Sequence, residues 1–391
     1  HTHAHMLDIV SRQRALNFPP GAEYSYSNTG YNLLVVIVDR VSGMPFAQFT
    51  RQRIFEPLGM KNTQWRDEYT RIVKSRAQAY ATRAGGWATD MPFENVHGNG
   101  GLLTTVQDLL IWTDNLNSGR LGGAAFLDAM HTQGVLSNGR KITYASGLMI
   151  GSYNGTREVS HTGSTAGYRA FLGRYPEKGL ATAVLCNAGN ANPGALGNQV
   201  AAIVLGEERP PVRPDVKAAS LPEADLSGKA GLYRDWRTGA LLRINWSEGK
   251  LQTGSTELIA LNASAFQAGA RRFEFMSAGN SGLRLRAITP DGDTAFYEPT
   301  AAFTPSAAQL AEFAGDYYSP DVETTFTVAV EDGRLVLRRR PDSRFVLNPV
   351  YTDAFESQMG LIRFYRGANA QIVELGISQA RVYDLRATRQ R

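Results

Sequence analysis

The residues best suited to proton transfer in this sequence are Tyr26, with Asn28 two positions on, and His161, followed by Thr162, Gly163 and Ser164. A tyrosine and an amide two apart at a loop-to-helix junction can face one cleft. Tyr26-Ser27-Asn28 stands at such a junction, between Pro19-Pro20-Gly21 and a run with helical spacing. A phenol and an imidazole both donate and accept protons, which general acid–base chemistry requires. A strand that carries a histidine and then a glycine lets a substrate backbone lie close along its edge. Each signal also has a plain structural reading. Tyr26 could serve only the fold, Asn28 could be the helix N-cap, and a lone strand histidine is commonly just hydrogen-bonded surface.

Two other groups of reactive residues point away from metal chemistry. In His1-Thr2-His3-Ala4-His5 the histidines alternate, as ligands on a strand would. No apolar strand surrounds them and no matching His/Asp ladder follows, so a tag remnant or a loop end is the favoured reading. The single cysteine, Cys186, rules out an internal disulfide and a CxxC site. Its apolar run Ala183-Val184-Leu185-Cys186 predicts a buried structural thiol.

The elements that must position Tyr26 and His161 alternate between helix and strand. Leu7 to Leu16 reads as a short helix stopped by Pro19-Pro20-Gly21. Asn28 to Val41 reads as an amphipathic helix with Tyr31, Leu34, Val35, Val38 and Val41 on one face, Asn28 as N-cap and Gly43 beyond its end. Further helices are predicted over Pro45 to Ile54, Thr105 to Leu116 and Gly194 to Leu205, with strands over Ala145–Ile150, Tyr168–Tyr175 and Leu180–Asn187. Helices grouped around an antiparallel sheet give an α+β domain.

At 391 residues the chain exceeds what one core holds, so about two or three domains are expected. Hydrophobic residues at 43% and charged residues at 20% are ordinary for a globular protein. The net charge of +5 is spread out, except at Arg338-Arg339-Arg340, which reads as a solvated strand or hairpin. That distribution argues against a nucleic-acid partner. No run approaches a membrane span. The Pro-rich, charged stretch after Leu205 marks residues 207–223 as a linker. Beyond it Ala230-Gly231-Leu232-Tyr233 matches Ala314-Gly315-Asp316-Tyr317, and Gly249-Lys250-Leu251 matches Gly333-Arg334-Leu335, at one offset (315 − 231 = 84; 333 − 249 = 84). Two tandem antiparallel β-barrels are expected, over 224–302 and 303–391, after a first domain over 1–206.

Order and spacing then add a resemblance. The run from Pro19 to Tyr31, containing Tyr26-Ser27-Asn28, resembles the second motif region of the penicillin-recognising serine hydrolases. These include class C β-lactamases, esterases, D-aminopeptidases and DD-peptidases. Ile54-Phe55-Glu56-Pro57-Leu58-Gly59-Met60 with Thr63, and Gly98 to Thr105 with Asp108, look like that family's continuation. His161-Thr162-Gly163 stands where many members have Lys-Thr-Gly. The paired barrels resemble the D-aminopeptidase branch. The resemblance implies a β-lactamase/transpeptidase-like α+β domain followed by two small lipocalin-like barrels. It also implies proton transfer by Tyr26, a substrate hydrogen bond from Asn28, and a proton-network or carboxylate role for His161. Thr162, Gly163 and Ser164 would line the substrate and oxyanion site, with the Ser164 N–H as one half of the oxyanion hole. No cofactor and no metal are implied, the substrate is a small molecule or peptide, and relatives are often exported. The family's first motif, Ser-x-x-Lys, is not found before Tyr26. Its one literal match, Ser247-Glu248-Gly249-Lys250, falls on a predicted hairpin turn. The nucleophile is therefore expected outside this chain.

Three functional readings follow. Hydrolysis of an ester or amide (a D-amino-acid peptide, an ester or a β-lactam-like substrate) through a serine acyl-enzyme leads. A non-catalytic protein that binds peptides or cell-wall fragments in the same cleft is the alternative. A ligand-carrying module would require wide apolar barrel interiors. His161 in place of Lys disfavours an efficient β-lactamase.

Overall fold

The computed structural model of the chain describes residues 1–206, 218–277, 283–290 and 292–390. It forms two compact units, His1–Ser11 with Pro20–Val212, and Arg12–Pro19 with Arg213–Arg391. Residues 207–217 of the expected linker, and Asp291 of an expected turn, lie outside the described residues.

The first unit is built on a four-stranded antiparallel sheet in the order Met149–Tyr153, Thr156–Thr165, Tyr168–Tyr175, Leu180–Cys186. Two tight hairpins fix its register. Asn154 and Gly155 turn with φ of 50° and 78° between Tyr153 and Thr156. Ala166, at φ 45°, and Gly167 turn between Thr165 and Tyr168. Two-residue turns of this kind match the strand twist and so pin the pairing. The helix Pro193–Leu205 crosses one face, and its Gly197 is required there because a Cβ would stand 2.4 Å from Phe171 Cδ1. The tyrosine of the same face, Tyr175, donates to Asn198 Oδ1 on that helix at 2.9 Å.

Other elements depart from the sequence pattern in instructive ways. The first helix is His3–Ser11 rather than Leu7 to Leu16, because Arg12–Pro19 packs within the other unit, where Asn17 Nδ2 donates to Arg381 O at 2.8 Å. The helix Asn28–Ser42 buries Val35, whereas Leu34 and Val41 are exposed. Leu33 to Val38 are apolar all round this helix, so periodicity alone could not choose the buried face. The predicted helix after Pro45 is Phe46–Thr50 followed by a π-turn, Arg51–Phe55. The first sheet strand begins at Met149, not Ala145. The helix Val106–Ser118 is capped by Thr105, whose hydroxyl accepts from Asp108 N at 3.2 Å. The buried Asp108 carboxylate in turn accepts from Asn62 N and Thr63 Oγ1, both at 2.7 Å, fastening the turn after Gly59 to this helix. Cys186 is only half-buried, since it closes an edge strand rather than a central one.

The second unit carries the repeat. Residues 315–389 form a closed eight-stranded barrel. Its interior is filled by Phe313, Tyr317, Phe355 and Phe364, with ring centroids 4.7 to 5.8 Å apart, which occupies the wide interior a ligand-carrying barrel needs. The preceding nine-stranded sheet begins with Thr256–Glu257 and ends with Ile259–Ala260, and only Leu258 separates these in the chain. It therefore curls back on itself into a second barrel. At the 84-residue offset a short helix precedes the first strand in both copies, Glu223–Ser227 and Ala307–Glu312. Both copies also share one lock. Tyr233 Oη donates to Lys229 O and Tyr317 Oη to Phe313 O, each at 2.8 Å and buried. Burial pushes both phenols up to about 12. The Arg338 side chain is exposed and held by Glu331 at 2.7 Å, as a solvated strand should be.

A Tyr317→Phe substitution strands the buried Phe313 carbonyl, and Tyr233→Phe does the same at Lys229. Each should cost about 1–3 kcal/mol, read as a lower urea midpoint with an unchanged denaturant slope. A change below a few tenths in either variant would remove the lock from the account of the barrels.

Candidate active site

The loop that carries Tyr26 is fastened at both ends. On its entry side Gly21, at φ 80°, lies so close to Ser137 that a Cβ would reach 2.3 Å from its hydroxyl, and Ser137 N donates to Gly21 O at 2.9 Å. On its exit side Ser27, not Asn28, is the N-cap: its backbone is extended and its hydroxyl accepts from Gly30 N at 3.1 Å. Serine wins this position because its short side chain reaches back to the first-turn N–H groups. Asn28 is thus the first residue of the helix, with an exposed side chain not needed for capping.

His161 lies in the strand Thr156–Thr165. Its neighbour Met149–Tyr153 pairs only with Thr156 to Ser160, whereas Tyr168–Tyr175 pairs as far as Thr165. Residues 161–165 therefore have a ladder on one side only. Thr165 and Tyr168 close a two-residue turn, so hydrogen-bonded pairs alternate back from them. By that alternation the N–H and C=O of Thr162 and Ser164 face the open edge. Thr162, Gly163 and Ser164 are exposed.

The His161 ring is fixed by two hydrogen bonds. Its Nδ1 lies 2.6 Å from Thr162 O and its Nε2 lies 3.1 Å from Tyr144 Oη. A carbonyl only accepts, so Nδ1 carries a proton, and Nε2 faces the Tyr144 hydroxyl. Tyr26 joins the same cluster, with its ring 5.9 Å from His161 and 5.8 Å, edge-on, from Tyr144. Tyr24 packs tilted against Tyr144, with ring centroids 5.5 Å apart. Burial, a hydrogen bond with Tyr31 and the nearby phenols of Tyr31, Tyr26 and Tyr24 hold the Tyr144 phenol well above the usual tyrosine range. It is thus a hydrogen-bonding hydroxyl, not a base.

The structure brings Tyr26 and His161 together and puts Asn28 at the start of the adjoining helix. Sequence reasoning missed Tyr144. Its signal was the turn Ala145-Ser146-Gly147 just after it, where Gly147, at φ 78°, leaves room for Tyr31 Oη. The Gly98–Gly101 segment packs on the Tyr26 helix: a Cβ on Gly98 would meet Val35 at 2.3 Å, and Asn99 N donates to the buried Asn32 Oδ1 at 3.1 Å. The N-terminal histidines are neither a strand nor a loose end. His3 starts a helix, its ring meets His97 edge-on at 4.7 Å, and its Nε2 lies 2.8 Å from His97 O. Burial pushes the His97 imidazole down, its hydrogen bond to Asn95 O opposing this. Among the described residues no group of three or more His, Cys, Asp or Glu could hold a metal ion. Ser247 and Lys250 pair across the barrel hairpin, with Lys250 bound to Glu257 at 2.8 Å. No single described helix is long and apolar enough to cross a membrane.

A family model described as Beta-lactamase matches residues 4–205. The chain is 25% identical over 336 residues to a D-aminopeptidase of Cereibacter sphaeroides, a match covering 84% of this chain and 61% of that protein. It is 23% identical over 243 residues to a D-aminopeptidase of Brucella ovis, covering 62% of this chain and 45% of that protein. The chain thus spans 61% of the length of the first of these curated relatives. Among solved structures, the octameric penicillin-binding protein homologue from Pyrococcus abyssi is similar, with a TM-score of 0.48 and 20% identity over 88% of this chain and 70% of that one.

Two outcomes follow from the geometry. Ser27→Ala should lower stability by about 1 kcal/mol through loss of the cap, whereas Asn28→Ala should leave the thermal midpoint nearly unchanged; equal losses would return the capping role to Asn28. Ultraviolet titrations of the wild type and Tyr144→Phe should overlay up to about pH 11, past the midpoint of an ordinary tyrosine. A step missing near pH 10 from the variant would mean that Tyr144 ionises like a solvated phenol.

Proposed function

The chain belongs to the beta-lactamase family, and on that premise we propose that it hydrolyses an amide of a D-amino acid or D-amino-acid peptide through a serine-bound acyl-enzyme. The observation that carries this reading is the meeting of Tyr26 and His161, from distant points in the chain, beside a strand edge left open over residues 161–165.

The chemistry follows from what each group can do. A serine hydroxyl attacks the amide carbonyl, and its proton must leave as the C–O bond forms. Tyr26 relays that proton to the amine as the C–N bond breaks, then takes one from the attacking water and returns it to the serine oxygen as the ester C–O bond breaks. Tyr144 remains protonated, so it positions His161 rather than competing with Tyr26. His161, held in the Nδ1–H form, keeps the hydroxyl network oriented. The Ser164 N–H, on the open edge, donates to the oxyanion, where a fixed backbone dipole costs no reorganisation. Thr162 and Gly163 line the substrate along the same edge, and Asn28 donates to the acyl side chain.

The reading requires a serine followed three residues later by a lysine, one turn of helix on. Residues 1–391 have that spacing only at Ser247 and Lys250, on opposite strands of a barrel hairpin. The test is therefore made on the full encoded protein.

The protein should release p-nitroaniline from D-alanine p-nitroanilide well ahead of the L-isomer. A fluorophosphonate should label one serine, located by mass spectrometry. Tyr26→Phe should lower kcat by about 10²–10⁴-fold with an unchanged thermal midpoint. A folded protein that neither turns over these amides nor takes the label would sink the enzyme reading in favour of a peptide-binding protein.

A further inference from the structure

The sheet face that carries His161 also carries two cationic groups, Arg157 and Arg174. Arg174 pairs directly with Val159 across the two central strands, and Arg157, two residues along from Val159, projects from the same face. His161 is four residues from Arg157, roughly 13 Å along the strand. The nearest carboxylate in sequence, Glu158, projects from the opposite face, where Ser160 and Tyr175 hold it.

Arg174 is only 3% exposed, and none of its partners is a carboxylate. Nη1 donates to His131 Nε2 at 3.0 Å, and Nη2 to Leu116 O at 3.1 Å and to Asn117 Oδ1. His131 is fit to accept because its Nδ1 lies 2.7 Å from Leu127 O and so carries the ring proton. A guanidinium has five N–H donors. Three are taken here, and Nε is buried with no partner. Burial, and then the charge of Arg157, push Arg174 below the ordinary arginine range. A buried cation without a counter-charge is costly unless something anionic offsets it.

These groups line an open groove of about 840 Å³ between the end of the sheet and the helix Gly123–His131. Asp128 is the only carboxylate among the residues that line it, and it is exposed at the rim. We propose that this groove is a binding site for a small oxyanion-bearing molecule, a carboxylate or a phosphate, which lies across Arg157 and Arg174 and neutralises them. The site is separate from the Tyr26–His161 cluster and does not depend on the hydrolase reading.

The test is thermal unfolding of the full protein in inorganic phosphate, in succinate, and in sodium chloride at matched ionic strength. Ligand that binds the folded state alone raises the midpoint with the logarithm of its concentration above Kd. Phosphate or succinate should raise it beyond chloride. A response to phosphate alone identifies phosphoryl ligands, and a response to both identifies carboxylates as well. Arg157→Gln, at an exposed position, should weaken the response about tenfold, the loss of one charge-assisted hydrogen bond. Asp128→Asn should strengthen it by removing the rim charge. No rise beyond chloride, or a response unchanged in Arg157→Gln, overturns the proposal.

Discussion

Backbone N–H and C=O groups must find partners or face water, and the first unit turns on where one strand stops satisfying that rule internally. Thr156–Thr165 outruns its neighbour by five residues, so a short row of main-chain groups is left without a ladder. Two hairpin turns determine which groups those are. Moving either register by one residue would turn the Thr162 and Ser164 amides inward and swing His161 to the other face. The glycines and positive-φ residues at 154, 155, 166 and 167 therefore matter to the chemistry as much as the residues that carry it. They fix the open edge, and the open edge fixes what can lie beside His161.

The polar groups around this edge are arranged as fasteners. Asp108 ties a turn to a helix, Ser27 caps the helix that begins at Asn28, and Tyr144 holds an imidazole whose other nitrogen is held by its own strand. The Asp108 and Tyr144 bonds join different elements at buried or half-buried sites, whereas the Ser27 cap and the bond from His161 to Thr162 O are local and exposed. Such groups fix orientation more than they add stability, because the hydrogen bonds replace ones made to water.

Much of this was legible in the sequence. Tyr26, Asn28 and His161 stood out through residue type and the turns that flank them, and the α+β sheet followed by two barrels followed from periodicity and the repeat. What periodicity could not give was the buried side of a helix that is apolar all round, so Leu34 and Val41 were misplaced. Nor could it give the helix Gly123–His131, whose glycine start has no capping side chain. Tyr144 was hidden because its role exists only in three dimensions. It becomes meaningful when two loops and a strand from separate stretches bring it beside His161 and Tyr26.

The two barrels share a helix, a first strand and a tyrosine lock at one spacing, which carries a hazard during folding. An element copied within a single chain can settle into its twin's seat, and misassembly of this kind is a characteristic failure of repeated domains. The copies differ where such an exchange would be judged. The carbonyl that receives the lock belongs to Lys229 in one and to the wholly buried Phe313 in the other, and the strand opens Gly231-Leu232 in the first but Gly315-Asp316 in the second. A segment in the wrong seat would bring an ammonium where a phenyl ring belongs. Divergence outside the lock thus works as proofreading, letting one architectural idea be used twice in the same polypeptide without confusion between its copies.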